Sequence, residues 1–153
     1  MRFLLIEDDE VDAELVRRSL KKAFPMCHVC ETRYLEEAVA AAQNASFDAV
    51  LADLSLPDSA GLMAVIQMVE CCPQSPLVVL TGTDCQDIST KAIEIGAHDF
   101  LVKCEIEPGL LERSIRYAIQ RHHLRSKNDQ LLESLRKGEE LLQAKNRKLE
   151  KVC

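Results

Sequence analysis

Four apolar segments of the chain each end in polar side chains that could take part in metal or phosphoryl chemistry. In chain order these are Glu7-Asp8 after Phe3–Ile6, Asp53 after Ala49–Ala52, Thr81 after Leu77–Leu80 and Lys103 after Asp99–Val102. Neighbouring carboxylates without a His/Cys set favour a hard divalent cation, above all Mg²⁺. A carboxylate beside such an ion, with a hydroxyl and an ammonium nearby, can accept a phosphoryl group by in-line attack. Each residue alone is more often a helix cap or a solvated group, so the prediction depends on all four occurring in this order.

The elements that must position these groups follow from the apolar patterning. The run Ala49–Ala52 has no polar alternation, which is typical of a strand covered on both faces. Five such strands alternate with five helical patterns, so we predict an α/β fold with a parallel sheet built from right-handed crossovers. Asp84 is the expected N-cap of the fourth helix and Gly96 its terminating glycine. The predicted strands are Phe3–Ile6, Cys27–Thr32, Asp48–Ala52, Leu77–Leu80 and Asp99–Val102, and the fifth helix follows Pro108. In such a sheet the carboxyl ends of the strands lie along one edge.

The charge divides the 153-residue chain into two parts. Up to Gln120 there are ten Lys/Arg against twenty Asp/Glu, and from Arg121 onward nine against five. We therefore predict a domain over residues 1–122 and a helical appendage over 123–153. The acidic domain argues against a nucleic-acid surface, and the interleaved charges of the appendage indicate a solvated helix. No apolar run approaches the roughly 20 residues of a membrane span. The N-terminus turns acidic too early for a secretory signal, so we expect a cytoplasmic protein.

The seven cysteines are odd in number and scattered, which favours free thiols in a reducing compartment. Only Cys27 and Cys30 have motif spacing. A C-x-x-C pair could be redox-active or half of a zinc site, but no second Cys/His pair at ligand spacing follows. Because the pair falls in a predicted strand, we expect buried or half-buried structural thiols.

The appendage carries a heptad pattern. One seam position is occupied by Leu124, Leu131, Gly138, Lys145 and Val152, and the other by Asn128, Leu135, Leu142 and Leu149. Alternating three- and four-residue steps of this kind suit a two-stranded coiled coil, although Gly138 and Lys145 weaken it. The alternative is a single helix packed on its own domain. The stripe continues for about 30 residues, roughly 45 Å, which is more than a small domain can cover. We therefore expect a homodimer through the C-terminal helix.

Together these motifs resemble the receiver domain of two-component response regulators. The resemblance covers about residues 1–122 and depends on four stretches. They are Leu4-Leu5-Ile6-Glu7-Asp8-Asp9, Asp53-Leu54-Ser55-Leu56-Pro57-Asp58-Ser59-Ala60-Gly61, Leu80-Thr81-Gly82 and Gly96-Ala97-His98-Asp99-Phe100-Leu101-Val102-Lys103. The family implies a flavodoxin-like, doubly wound five-stranded sheet with strand order 2-1-3-4-5. It also implies a partner, a sensor histidine kinase or phosphotransfer protein, whose phosphohistidine supplies the phosphoryl group. Such a domain promotes its own phosphotransfer and dephosphorylation but serves mainly in signalling.

The resemblance also implies a role for each site residue. Asp53 would be the phosphoacceptor, Asp8 the direct Mg²⁺ ligand and Glu7 the outer one. The backbone carbonyl of Ser55 would face the metal. Thr81 would hydrogen-bond a phosphoryl oxygen, Lys103 would pair with it, and Phe100 occupies the position of a switch aromatic.

Three points stay open at this stage. Glu7-Asp8 and Asp8-Asp9 both offer adjacent carboxylates, with Asp8 common to the two registers. Phe100 is either a moving switch residue or a core side chain that never moves. The family commonly has Pro after the active-site lysine, often with a cis peptide. Cys104 stands there in this chain, and a non-proline cis bond would cost about 2.5–4 kcal/mol, so we expect trans.

Three functions compete. The first is a phosphorylatable receiver whose last helix leads to an output domain. By analogy this output would be a diguanylate cyclase, a sensor module, a histidine kinase or a phosphatase, ahead of a DNA-binding domain. The second is a pseudo-receiver, a dimeric interaction module that works without phosphate; the intact acidic, hydroxyl and ammonium set argues against it. The third, flavin binding on the same fold, is disfavoured because carboxylates after the first strand would repel a phosphate.

Overall fold

A central five-stranded parallel sheet organises the first part of the chain. The structure is a computed structural model that describes residues 1–82 and 86–152. The sheet strands are β1 (Arg2–Ile6), β2 (His28–Thr32), β3 (Ala49–Asp53), β6 (Leu77–Thr81) and β7 (Asp99–Val102), in the order β2-β1-β3-β6-β7. All four strand pairs are parallel. The predicted order 2-1-3-4-5 is confirmed, with β6 and β7 as the fourth and fifth sheet strands.

Five helices follow the five sheet strands. They are α1 (Glu10–Ala23), α2 (Leu35–Asn44), α3 (Leu62–Cys71), α4 (Gln86–Ile95) and α5 (Pro108–Val152). The remaining strands, β4 (Ser55–Leu56) and β5 (Ser59–Ala60), form a small antiparallel hairpin between β3 and α3. The apolar patterning did not predict this hairpin, because two-residue strands are too short to show any periodicity.

The sheet separates two layers of core side chains. Because successive strand residues point to opposite faces, Leu4 and Ile6 of β1 pack in one layer while Phe3 and Leu5 pack in the other. The first layer contains apolar residues of α2, α3 and α4, and the second contains those of α1 and α5. Every residue of β3 and of β6 is buried. The strands therefore carry continuous apolar runs because helices cover both faces, as the sequence predicted.

Gly96 ends α4, as predicted. Its φ of 141° is open to glycine but not to residues with a side chain, and its N–H and that of Ala97 both donate to the carbonyl of Ala92. A Cβ at this position would lie 3.1 Å from Cγ1 of Val69. The predicted N-cap of α4, Asp84, lies outside the described residues.

The cysteines that the structure describes are free thiols. Cys27, which directly precedes β2, and Cys30, which lies within it, are half-buried. This confirms that the two thiols are half-buried and free, and their structural role stays a prediction. Cys85 and Cys153 lie outside the described residues.

The chain divides into two compact units, Met1–His122 and a second that begins at His123. Near the end of the first unit, Arg121 donates to the carbonyl of His98 at 3.0 Å. His122 contacts the carbonyl of Pro73 at 2.9 Å, and its ring lies against that of His98. These contacts tie this part of α5 to the loops at the amino ends of β6 and β7.

The second unit is helical to Val152, and its leucines are exposed. Leu131, Leu135, Leu142 and Leu149 each have 62–66% of their surface exposed. Across residues 1–82 and 86–152, no helix has the length and apolar character needed to cross a membrane.

Candidate functional site

The predicted site residues lie at the carboxyl edge of the sheet. Asp53 and Thr81 are the last residues of β3 and β6, and their exposed fractions are 3% and 2%. Glu7 directly follows β1 and is 3% exposed. Lys103 follows β7 and opens a short 3₁₀ turn, Lys103–Glu105. Parallel strands with a common direction therefore deliver these side chains to one edge.

The ammonium of Lys103 joins three carboxylates. Its Nζ lies 2.7 Å from Oε2 of Glu7, 3.1 Å from Oδ2 of Asp53 and 3.0 Å from Oδ2 of Asp12. The Lys103 side chain is only 18% exposed, and those of Glu7 and Asp53 are 1% and 5% exposed. The ion pairs with Glu7 and Asp53 therefore form largely away from water, where both attraction and repulsion between charges are strong, whereas the Asp12 side chain is 36% exposed.

Glu7, Asp8 and Asp53 form a group of carboxylates that could hold a metal ion. Each offers one oxygen, and these oxygens lie within 4.8 Å of one another. Asp9 is used differently: it is the N-cap of α1, and its Oδ1 accepts from the backbone N–H groups of Val11 and Asp12. Of the two registers that the sequence left open, the structure thus groups Glu7-Asp8 with Asp53.

The electrostatic balance of the site is strongly negative. Among the described residues, the ammonium of Lys103 pairs with the carboxylates of Glu7, Asp12 and Asp53, and Asp8 adds a fourth carboxylate to the group of Glu7 and Asp53. Burial raises the pKa of Glu7 from its ordinary 4.5 to about 7, outweighing the hydrogen bonds from Lys103 and Asp9. Burial alone would lower the pKa of Lys103, but its hydrogen bonds to Glu7, Asp12 and Asp53 raise it instead. Lys103 therefore stays protonated, and the carboxylates at the site outnumber the ammonium groups that pair with them.

Three further predicted site residues, Thr81, Ser55 and Phe100, lie on β6, β4 and β7. The hydroxyl of Thr81 donates to the carbonyl of Leu101 at 3.4 Å, which links β6 to β7. Ser55 is exposed and begins β4, two residues after Asp53. Phe100 is half-buried and packs against the core layer of α2, α3 and α4. The roles that the sequence assigns to these three residues stay predictions.

The peptide bond after Lys103 is trans. No cis peptide occurs in residues 1–82 and 86–152, which confirms the expectation for Lys103-Cys104. Cys104 is exposed within the 3₁₀ turn.

A surface cleft of 690 Å³ opens beside the acidic group. It is lined by α1 residues, by Glu31 and Thr32 of β2, and by Glu7 and Asp8. Solutes can therefore approach the Glu7-Asp8 pair from the α1 side.

Two residues with specific contacts near the site were not foreseen from the sequence. Asp12 lies in the first turn of α1 and pairs with Lys103. This contact is difficult to recognise from the sequence, because an acidic residue in the first turn of a helix is usually explained by the helix dipole alone. Asp58, in the loop after Asp53, accepts hydrogen bonds from the N-terminus of α2. That contact joins residues 22 and 23 positions apart, so no local pattern reveals it.

Comparisons with known proteins agree with this arrangement. Residues 3–116 match the family model described as the response regulator receiver domain. The chain is 33% identical over 114 residues to the swarming motility regulation protein RssB of Serratia marcescens, covering 74% of this chain and 51% of that protein. It is 30% identical over 137 residues to a cyclic di-GMP phosphodiesterase of Thermotoga maritima, covering 90% of this chain and 36% of that protein.

A solved structure is also similar. It is the receiver domain of a sensor histidine kinase from Pseudomonas aeruginosa PAO1, with a magnesium ion coordinated in its active-site cleft. The identity is 25%, the TM-score 0.66, and the match covers 78% of this chain and 97% of that one. The chain thus spans nearly all of an isolated receiver domain, but only about half or less of the two curated relatives.

Proposed function

Because the chain belongs to the response regulator receiver family, we propose that Asp53 accepts a phosphoryl group from the phosphohistidine of a sensor histidine kinase or phosphotransfer protein. The observation that carries this proposal is the position of Asp53. Its Oδ2 lies 3.1 Å from Nζ of Lys103, and one of its oxygens lies within 4.8 Å of those of Glu7 and Asp8. A nucleophile, a fixed ammonium and a metal-binding group therefore meet at the end of β3.

The reaction follows from these positions. A carboxylate oxygen of Asp53 attacks phosphorus in line, the phosphorus–nitrogen bond to the donor imidazole breaks, and an acyl phosphate forms on Asp53. Lys103 lies against Asp53 before the donor arrives, so its charge can offset that of the phosphoryl oxygens without large reorganisation. The hydroxyl of Thr81 would exchange the Leu101 carbonyl for a phosphoryl oxygen. Later attack by water on phosphorus restores the carboxylate and releases phosphate.

The residues at this site fit Mg²⁺. The possible ligands are carboxylate oxygens, which a hard divalent cation prefers, and the excess of carboxylates over ammonium groups favours added positive charge. Asp8 and Asp53 would hold the ion, with Glu7 in the outer position and the Ser55 carbonyl as a further ligand. When bound, Mg²⁺ supplies charge stabilisation for the transferring phosphoryl group.

Intact-mass spectrometry tests this proposal. The full chain is incubated with acetyl phosphate and MgCl₂, and the expected product carries one phosphoryl group. Asp53→Asn removes the nucleophile at nearly constant shape and should carry none. Asp48→Asn, an exposed acidic residue just before β3, is the matched control and should react like the wild type. A phosphoryl group retained by the Asp53 variant, or none on the wild type, would refute the assignment.

The same experiment separates receiver from pseudo-receiver. A pseudo-receiver would take up no phosphoryl group and would show no Mg²⁺-dependent change. The complete set of Glu7, Asp8, Asp53, Thr81 and Lys103 favours the receiver, because each of these groups would be dispensable in a phosphate-independent module.

We further propose that the second unit forms a two-stranded coiled coil, so that the protein is a homodimer. In a single copy of the chain the seam leucines Leu135, Leu142 and Leu149 are each at least 62% exposed. Their apolar surface is therefore available for a second copy to cover. In this arrangement the phosphorylation state of Asp53 would pass through α5 to an output domain. We expect such a protein to act in the cytoplasm, without membrane or nucleic acid contacts through these residues.

Sedimentation equilibrium tests the dimer. Leu135→Glu with Leu142→Glu puts charge into the seam and should yield a monomer. Leu132→Glu with Leu141→Glu is the matched control, because these leucines are similarly exposed, at 59% and 61%, but flank the seam. The control pair should remain largely dimeric. Equal sedimentation of both pairs and the wild type would refute the seam.

A further inference from the structure

The carboxylate of Asp58 binds the N-terminus of a helix that lies elsewhere in the sequence. Its Oδ1 accepts from the N–H of Leu35 at 2.9 Å, and its Oδ2 accepts from the N–H of Glu36 at 3.0 Å. These are two of the N–H groups that an α-helix leaves without an internal partner. One carboxylate thus satisfies both with a bidentate, charge-assisted contact.

The helix has no side-chain cap of its own. Its N-cap residue is Tyr34, which makes no capping hydrogen bond, and Leu35 is 2% exposed within the core. The start of α2 is therefore fixed in position by the core, and Asp58 supplies from outside what a Ser, Thr or Asp at position 34 would supply locally. A side chain that binds this end of α2 is therefore itself held in position.

Asp58 itself sits at the tip of the hairpin that follows Asp53. Ser55 pairs with Ala60 and Leu56 with Ser59, and the N–H of Gly61 donates to the carbonyl of Leu54 at 2.9 Å. Leu54 and Leu56, on either side of Ser55, are buried, so the first strand of the hairpin packs on the core. The tip follows Leu56 and has a further contact through Asp58.

The charge of Asp58 suits this contact. Burial would raise the pKa of its carboxyl, but the hydrogen bonds from the N–H groups of Leu35 and Glu36 lower it overall. The partial positive charge of a helix N-terminus favours an ionised partner in the same way.

We propose that Asp58 is a positioning residue for phosphoryl transfer: it ties the tip of the hairpin to α2 and so fixes the backbone from Asp53 through Ser55. The inference rests on the proposed function of Asp53 and extends it to a residue that touches neither phosphoryl group nor metal. It also makes α2 a second element, besides the sheet, that holds the loop of the phosphoacceptor.

The competing explanation is that Asp58 only stabilises α2. The two explanations separate in a double variant, because Tyr34→Ser places at the N-cap a hydroxyl that can accept from the N–H of Glu36 or Glu37 and so restores a local cap. A local cap would recover the stability of α2 but would leave the hairpin tip untied. Tyr34 is 45% exposed, so this exchange leaves the core unchanged.

The experiment compares the full-length wild type, Asp58→Ala, Tyr34→Ser and the double variant. Thermal unfolding reports on stability, titration calorimetry with MgCl₂ on metal affinity, and intact mass on the rate of phosphorylation by acetyl phosphate. We expect Asp58→Ala to lower the unfolding midpoint and to weaken Mg²⁺ affinity and phosphorylation rate by about tenfold, as loss of outer supporting contacts does elsewhere. The double variant should regain the midpoint but not the Mg²⁺ affinity or the rate.

Two results would overturn the inference. One is an Asp58→Ala variant that binds Mg²⁺ and takes up phosphoryl groups like the wild type. The other is a double variant that recovers stability, affinity and rate together, which would reduce Asp58 to a helix cap. Failure of the proposed function looks different, because the wild type itself would then remain unphosphorylated. Hydrogen exchange of the Gly61 amide gives a further readout, and it should speed up in both variants that lack Asp58.

Discussion

Exchange of Glu7 for Gln should change how the stability of the protein depends on pH. Glu7 is buried in the native state, and this raises its pKa from 4.5 to about 7. Below pH 4.5 the Glu7 carboxyl is protonated in both folded and unfolded chains, so it has no destabilising effect there. As the pH rises towards 7, the unfolded chain loses this proton while the folded chain holds it, and stability falls. The amide that replaces the carboxyl in the variant has no proton to lose.

The expected size follows from the two pKa values. At about 1.4 kcal/mol for each pH unit between them, the wild type should lose at most about 3 kcal/mol relative to the variant between pH 4.5 and pH 7.5. The free energy of unfolding of Glu7→Gln should therefore increase relative to that of the wild type as the pH rises. Ion pairing of Lys103 with Asp53 and Asp12 persists in both proteins and largely cancels from the difference.

Urea unfolding in EDTA and a reducing agent, followed by far-UV circular dichroism, measures the difference. The chain has no tryptophan, so the backbone signal is the practical probe. Glu70→Gln, at an exposed position on α3, is the matched control and should follow the wild type. Added MgCl₂ should reduce the difference in unfolding free energy between Glu7→Gln and the wild type. A bound cation favours ionised Glu7 and stabilises the native state by mass action. A difference between variant and wild type that stays constant from pH 5 to pH 8 would refute the reasoning.

Three further substitutions test other parts of the structure. Gly96→Ala should destabilise the protein by about 1–3 kcal/mol in urea unfolding, because alanine at φ 141° is strained and its Cβ would press on Val69; an unchanged midpoint would contradict this. Gly138→Ala should instead stabilise the second unit by about 0.5–1 kcal/mol in thermal unfolding followed by circular dichroism, because alanine favours a helix over glycine and, within one copy of the chain, nothing beyond the adjacent helix backbone lies within 4 Å of the added methyl; a lower midpoint would contradict this. Asp9→Ala should cost about 1 kcal/mol by removing the N-cap of α1 while phosphorylation by acetyl phosphate continues; loss of phosphoryl uptake comparable to that of Asp8→Ala would show that Asp9 is itself a ligand.

The sequence predicted the sheet and the position of the site well, for a physical reason. Runs such as Ala49–Ala52 are apolar because both faces of the strand are covered. Buried strands and their order along the chain can therefore be recognised from the distribution of apolar residues. Once the strands are placed, the parallel topology alone sends Glu7, Asp53 and Lys103 to one edge. Their proximity needed no information beyond the order of the elements.

The contacts that were missed connect polar groups across the fold. Asp12 and Asp58 each look like ordinary helix-start or turn residues, and their partners are 91 and 22–23 positions away. Polar contacts of this kind depend on side-chain direction and on which backbone groups are left without partners. Neither side-chain direction nor the set of unpartnered backbone groups produces a periodic pattern in the sequence.

The run Glu7-Asp8-Asp9 gives three adjacent acids three separate tasks. Glu7 pairs with Lys103, Asp8 lies half-buried in the carboxylate group, and Asp9 begins α1. Exchange of Asp9 for Ser, Thr or Asn would keep the start of the helix, since these residues cap about equally well. Insertion or loss of a single residue would shift the positions of all three side chains at once. Residue type can therefore vary among capping residues at position 9, whereas the length of the segment fixes where Glu7 and Asp8 lie.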